Sequence, residues 1–165
     1  MKASKMLRIS KMADYGTIVL ATMAKEPERT QSVAEIASLT GLPVPSVSKL
    51  LKRFIHEGLV LSLRGAQGGY KLSRSPAEIS TAQILQSIDG PIGMTECSAH
   101  PGSCHHEAGC QVRANWQMVN RAMLEALEQI TLKQMSQPLT ETVDMSALRA
   151  PRVVSKSAAI QGEAS

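Results

Sequence analysis

Val47, Leu50, Leu51, Phe54 and Ile55 fall at i, i+3, i+4, i+7 and i+8, the spacing that gathers apolar side chains on one face of an α-helix. The other face carries Ser48, Lys49, Lys52, Arg53 and His56. A helix from Ser46 to about Glu57 therefore buries one side and offers a basic one. Thr40-Gly41-Leu42-Pro43 interrupts the chain just before it. Ahead of that break, Ser32 stands three residues before Glu35, the pattern of a capping box, and opens a short helix through Val33, Ile36 and Ala37. Two helices joined by a tight glycine-containing turn, the second of them basic, form the helix-turn-helix layout, whose second helix enters the major groove of DNA.

The flanking segments extend this unit. Met12, Tyr15, Val19 and Met23 recur at helical spacing over residues 11 to about 25, and Pro27 ends that helix. After Gly58, two apolar runs, Leu59 to Arg64 and Tyr70 to Ser73, surround the glycine-rich stretch 65–69, which predicts a β-hairpin wing. Arg64 and Lys71 flank its tip and Gln67 lies on it, where side chains reach phosphates or a minor groove. Ser80 caps a short helix through Ile84, Leu85 and Ile88 that stops before Gly90-Pro91.

From Val112, the residues Trp116, Val119, Met123, Leu127 and Ile130 repeat every three or four positions and predict one helix to about Met135. Its second apolar edge, Met118, Ala122, Leu132 and Met135, exceeds a single contact face. Pairing with the same helix of a second copy would bury that edge; packing back on its own domain is the alternative. The expected class is mainly α: a winged helix-turn-helix domain over 7–90, a cysteine loop over 91–111 and a dimerisation helix over 112–136. Residues 137–165 lack periodicity and read as a disordered tail.

Composition agrees with that outline. Apolar residues make up 43% of 165 and aromatics only 2%, so Leu, Ile, Val, Met and Ala must build the core and an all-β sandwich is disfavoured. Residues 1–75 carry 12 Lys/Arg against 5 Asp/Glu, a surplus of seven positive charges, whereas 76–165 carry 6 against 9. A basic excess confined to the helix-turn-helix half predicts a polyanion partner, because cations that neutralise phosphates release counterions. No run approaches the ~20 apolar residues of a membrane helix, and no secretory signal is visible, so a cytoplasmic location with no membrane partner is expected. No set of nucleophile, base and orienting group suggests an enzyme.

Cys97, Cys104 and Cys110 lie in a segment rich in Gly, Pro and His with the spacing C-x6-C-x5-C. An odd number of cysteines is no disulfide framework. Thiolates suit zinc or an iron-sulfur cluster. The spacing lacks the C-x2-C pairs of zinc knuckles, and a wider loop favours a larger object. Zinc completed by His100, His105 or His106 stays open, as do three plain thiols.

The order of these parts resembles the family of iron-sulfur winged-helix regulators that includes IscR, NsrR and RirA. The resemblance rests on Leu7-Arg8-Ile9-Ser10-Lys11, Gly58-Leu59-Val60, Arg64-Gly65, Gly68-Gly69-Tyr70 and the three cysteines before a long helix, and it spans residues 7 to about 135. Asp14-Tyr15-Gly16, Gly90-Pro91-Ile92, Thr95-Glu96-Cys97 and Val112-Arg113-Ala114-Asn115-Trp116 look most like the branch that regulates SUF-system cluster assembly. The resemblance implies a homodimer on double-stranded operator DNA and a 2Fe–2S or 4Fe–4S cluster held by Cys97, Cys104 and Cys110. Its function would be cluster-dependent repression of cluster-assembly genes, with nitric oxide or iron as alternative signals. The histidine that ligates the cluster in IscR is replaced by Arg113, which has donors only. Asp14 matches the N-terminal aspartate that, in NsrR, comes from the other subunit, and is the implied fourth ligand. Base contacts in such proteins come from the start of the recognition helix, here Pro45, Ser46 and Ser48, while Lys49, Lys52 and Arg53 would hold phosphates.

Overall fold

The structure is a computed structural model and describes residues 9–66 and 68–138. Helix α1 covers Lys11–Met23 and is capped by Ser10, whose hydroxyl accepts the Ala13 N–H. Helix α2 covers Val33–Thr40 and begins at the expected Ser32 cap. The reciprocal half of the capping box is not made. The Glu35 carboxylate is instead held by Arg29, which also reaches Glu26 at 2.9 Å.

Gly41, at φ 69°, ends α2, and helix α3 then covers Val44–His56. It starts two residues before the expected Ser46. The reason is Pro45, which lies in the first turn, where a missing N–H costs no hydrogen bond. Val47, Leu50, Leu51 and Phe54 are fully buried. Ile55, expected on the same face, is 36% exposed and lies at its rim.

Strands β1 (Val60–Leu63) and β2 (Gly69–Leu72) form the antiparallel wing, with Val60 opposite Leu72 and Leu63 opposite Gly69. Helix α4 covers Thr81–Asp89, and the Ser80 cap is completed by the Gln83 side chain. Ser10 donates to Asp89 Oδ1 at 2.7 Å and so ties the start of α1 to the end of α4.

The cysteine segment contains one short helix, α5 (Glu96–Ala99), and a 3-10 turn at Glu107–Gly109. The expected single helix over 112–136 is two: α6 (Arg113–Gln129) and α7 (Leu132–Ser136). Ile130 is extended, and its carbonyl accepts both the N–H and the hydroxyl of Thr81, each at 2.8 Å. Leu132 N–H donates to Ile79 O at 2.7 Å. Thr131 and Gln134 then cap α7 reciprocally. A tertiary strand-like stitch thus replaces two helical residues and swings Leu132 into the core, where it is fully buried.

The core joins α1, α2, α3, α4, the wing base and α7 around Phe54, Leu20, Leu50, Ile36, Ile84 and Leu132. Gly16 is what lets α1 approach α3 and α4. A Cβ there would come within 2.2 Å of Ile88 Cδ1 and 3.0 Å of Phe54 Cζ. Among the described residues no helix is long and apolar enough to cross a membrane.

Candidate nucleic-acid interface and cysteine segment

Burial of Val47, Leu50, Leu51 and Phe54 turns the opposite face of α3 to solvent. Pro45, Lys49, Lys52 and Arg53 are exposed and Ser46 and Ser48 half-buried. None of these three cations has a carboxylate partner among the described residues, and neither has Arg64 on the wing, so all four are free to meet an anion. Lys71 differs: its Nζ lies 3.6 Å from Glu28 Oε2, and a phosphate would have to replace that weak surface contact. Gln67 lies outside the described residues.

Two arginines of the basic half are structural instead. Arg29 is held by Glu26 and Glu35; the hydrogen bond and charge of Glu26, and then the charge of Glu35, raise its pKa above the usual arginine value. Arg74 donates to Gly58 O at 3.2 Å, to Gln83 Oε1 at 3.1 Å and to Glu78 O at 3.4 Å, bracing the wing base against α4. A count of basic residues could not separate these from the free cations, because only the fold shows which acceptors stand beside them.

The wing is anchored to α2 by a contact outside the hairpin itself. Gln31 pairs with Tyr70 through the backbone. A Cβ on Gly69, at φ 153°, would stand 2.6 Å from Gln31 O, so the glycine serves close backbone approach.

The three cysteines are free thiols, Cys97 buried and Cys104 and Cys110 half-buried. Cys97 sits in α5, 3.3 Å from Thr95 Oγ1, which is also 2.8 Å from Ser98 Oγ. Among the described residues no three His, Cys, Asp or Glu side chains converge on one point closely enough to hold a single metal ion. The segment is closed by other groups. Glu107 accepts the Gly102 N–H at 2.6 Å through one carboxylate oxygen and Arg113 Nη2 at 2.6 Å through the other. His100, His105 and His106 are exposed. Asp14 lies in the first turn of α1, exposed, with no hydrogen bond or ion pair to its side chain among the described residues.

Helix α6 touches the rest of the domain along α4 and α5. Its one buried residue, Asn120, accepts the Met94 N–H at 3.0 Å and fixes the chain leading into α5. The periodicity had passed over this polar residue. The apolar stripe is divided: Met123 and Leu127 line a cavity of about 380 Å³ with Ile9, Leu85, Pro91 and Ile92, while Trp116, Val119, Met118 and Val112 are 41–59% exposed.

Comparison with known proteins places this architecture. Residues 9–138 match the model of the Rrf2 family, described as iron-dependent transcriptional regulators. An rrf2-like HTH-type transcriptional regulator of Rhodobacter capsulatus is 29% identical over 136 residues, covering 77% of this chain and 91% of the relative. The HTH-type transcriptional regulator IscR of Pectobacterium carotovorum is 26% identical over 130 residues, covering 78% and 79%. Among solved structures, CymR, the global cysteine regulator of B. subtilis, superimposes with a TM-score of 0.63 at 30% identity, covering 79% of this chain and 97% of that one. T. potens IscR gives 0.62 at 28%, covering 81% and 88%. Both of these curated relatives are transcriptional regulators by name. The chain belongs to the Rrf2 family of winged-helix, DNA-binding transcriptional regulators.

Proposed function

We propose that this regulator senses an iron-sulfur cluster and represses cluster-assembly genes of the SUF type from the cytoplasm. One observation carries the reading: three free thiols lie within fourteen residues, on the segment that joins the DNA-binding domain to α6. Soft thiolates suit iron-sulfur centres. The C-x6-C-x5-C spacing lacks the C-x2-C pairs by which zinc knuckles grip one ion, and it favours a larger, multi-iron object. The unsatisfied Arg113 Nε, buried three residues after Cys110, is a donor of the kind that meets anionic sulfur.

Cys97, Cys104 and Cys110 would hold the cluster, with Asp14 of a second copy as fourth ligand. A hard carboxylate among soft thiolates would leave the cluster labile. When bound, the cluster supplies the iron- and oxidant-sensitive element. The family description names iron, while CymR, one of the solved relatives, is a cysteine regulator.

On DNA, α3 of each protomer would enter a major groove, with Pro45, Ser46 and Ser48 near base edges and Lys49, Lys52 and Arg53 on phosphates. Arg64, Gln67 and Lys71 would bring the wing to flanking backbone or minor groove. The apolar patch of Val112, Trp116, Met118 and Val119 would pair with its equivalent in a homodimer. Freeing the 97–110 segment would then change how the two DNA-binding domains are held, which gives the two states different operator affinities.

The test is anaerobic purification with visible absorption and iron and sulfide analysis, followed by operator binding of holo- and apoprotein. Visible bands, bound sulfide and a difference in affinity are expected. Colourless protein with stoichiometric zinc would sink the reading.

A further inference from the structure

The first residue of α6 places a charge where the resemblance would place a ligand. Arg113 Nη2 donates to Glu107 Oε1, and Glu107 Oε2 accepts the Gly102 N–H, each at 2.6 Å. Glu107 is only 11% exposed and both of its oxygens are occupied, so it acts as a clasp and not as a free ligand. The Arg113 side chain is 40% exposed, yet its Nε is shut off from solvent and has no hydrogen-bond partner among the described residues. A buried N–H without an acceptor is costly, and a redox centre or bound ion is among the groups that account for such an orphan. Sulfur lies next to it along the chain: Cys110 O accepts the Arg113 backbone N–H at 3.3 Å, and the Cys110 thiol is free.

We infer that Arg113 is a positioning residue for the anionic iron-sulfur centre held by Cys97, Cys104 and Cys110, its Nε–H donating to sulfur while Glu107 fixes the guanidinium and offsets part of its charge. This rests on the cluster reading above. A histidine at this position would bond iron, whereas an arginine acts on the centre through charge and a hydrogen bond alone. Both favour the more negative, reduced state, so Arg113 raises the reduction potential. Glu107 opposes it.

Full-length protein prepared anaerobically is titrated with dithionite in the presence of mediators, reading the visible bands. Arg113→Gln is expected to disfavour one-electron reduction about tenfold, a shift of about 59 mV to more negative potential. Glu107→Gln, which uncovers the guanidinium charge, is expected to move the potential the other way, and Arg113→Lys to restore part of the first shift. A clasp with no electrostatic role would speed cluster loss in both variants without opposite shifts, and that result overturns the proposal. If Arg113→Gln holds no cluster, the sign of the Glu107→Gln shift decides alone. Iron and sulfide in the wild type with unshifted variants sink only the role of Arg113. Their absence from the wild type sinks the cluster reading, and this inference with it.

Discussion

Gln31 and Tyr70 exchange both backbone hydrogen bonds, Gln31 N–H to Tyr70 O at 2.9 Å and Tyr70 N–H to Gln31 O at 2.8 Å. The wing is therefore fastened to the residue preceding the Ser32 cap of α2, and the tip end of β2 cannot move independently of the helix-turn-helix. Gly69→Val drives a side chain into Gln31 O and adopts a φ that β-branched residues avoid. Operator affinity should fall while the helical far-UV signal is kept. Unchanged affinity in a gel-shift titration would mean that the wing does not need this anchor.

Lys52 and Arg53 are exposed cations on α3. If each neutralises one phosphate, Lys52→Ala or Arg53→Ala should lower the slope of log K against log salt by about 0.9 per half-site and weaken binding to all sequences alike. Fluorescence anisotropy over a salt series checks this. Arg29→Ala, by contrast, should leave the salt slope unchanged, because Arg29 is committed to Glu26 and Glu35.

Leu132 is fully buried although it lies beyond the break at Ile130. Leu132→Ala should cost about 2–5 kcal/mol of unfolding free energy, the range for a large-to-small change in a packed core. Denaturant unfolding of the apoprotein measures it. A surface-like loss of about 0.5 kcal/mol or less would show that α7 does not dock there.

Val119 is 41% exposed on α6, beside Trp116 and Met118. If the proposed homodimer pairs through this patch, Val119→Asp should leave the monomer folded and shift the protein from dimer to monomer in sedimentation or light scattering. Retention of the dimer at low micromolar concentration would move the interface elsewhere.

Asp14 is exposed and unpaired among the described residues, so its replacement disturbs no contact within the protomer. Asp14→Ala should speed anaerobic loss of the visible bands with no change in thermal stability of the apoprotein. Equal rates would exclude Asp14 as a ligand.

Local pattern made much of this protein legible. The apolar spacing in α3, the Ser32 and Ser80 caps, the glycine-bounded wing and the three-cysteine spacing each reflect short-range chemistry, in which a few neighbouring residues decide the outcome. What they imply together, a winged helix with a basic recognition face, follows from order along the chain.

Other features depended on which partner the fold sets beside a group. The 112–136 pattern is continuous, yet the helix breaks because the Ile130 carbonyl is taken by Thr81, 49 positions away. The capping box at Ser32 is half made because Arg29 claims Glu35. The Glu107 carboxylate, which sequence alone leaves available to a metal, is spent on Gly102 and Arg113. The sequence by itself determined which segments are helical, which face of α3 is basic and where the thiols lie, because spacing and capping act within a few residues. Only the tertiary structure decided which charges are free and where the last helix stops, because those outcomes are set by whichever partner the fold brings within hydrogen-bonding distance.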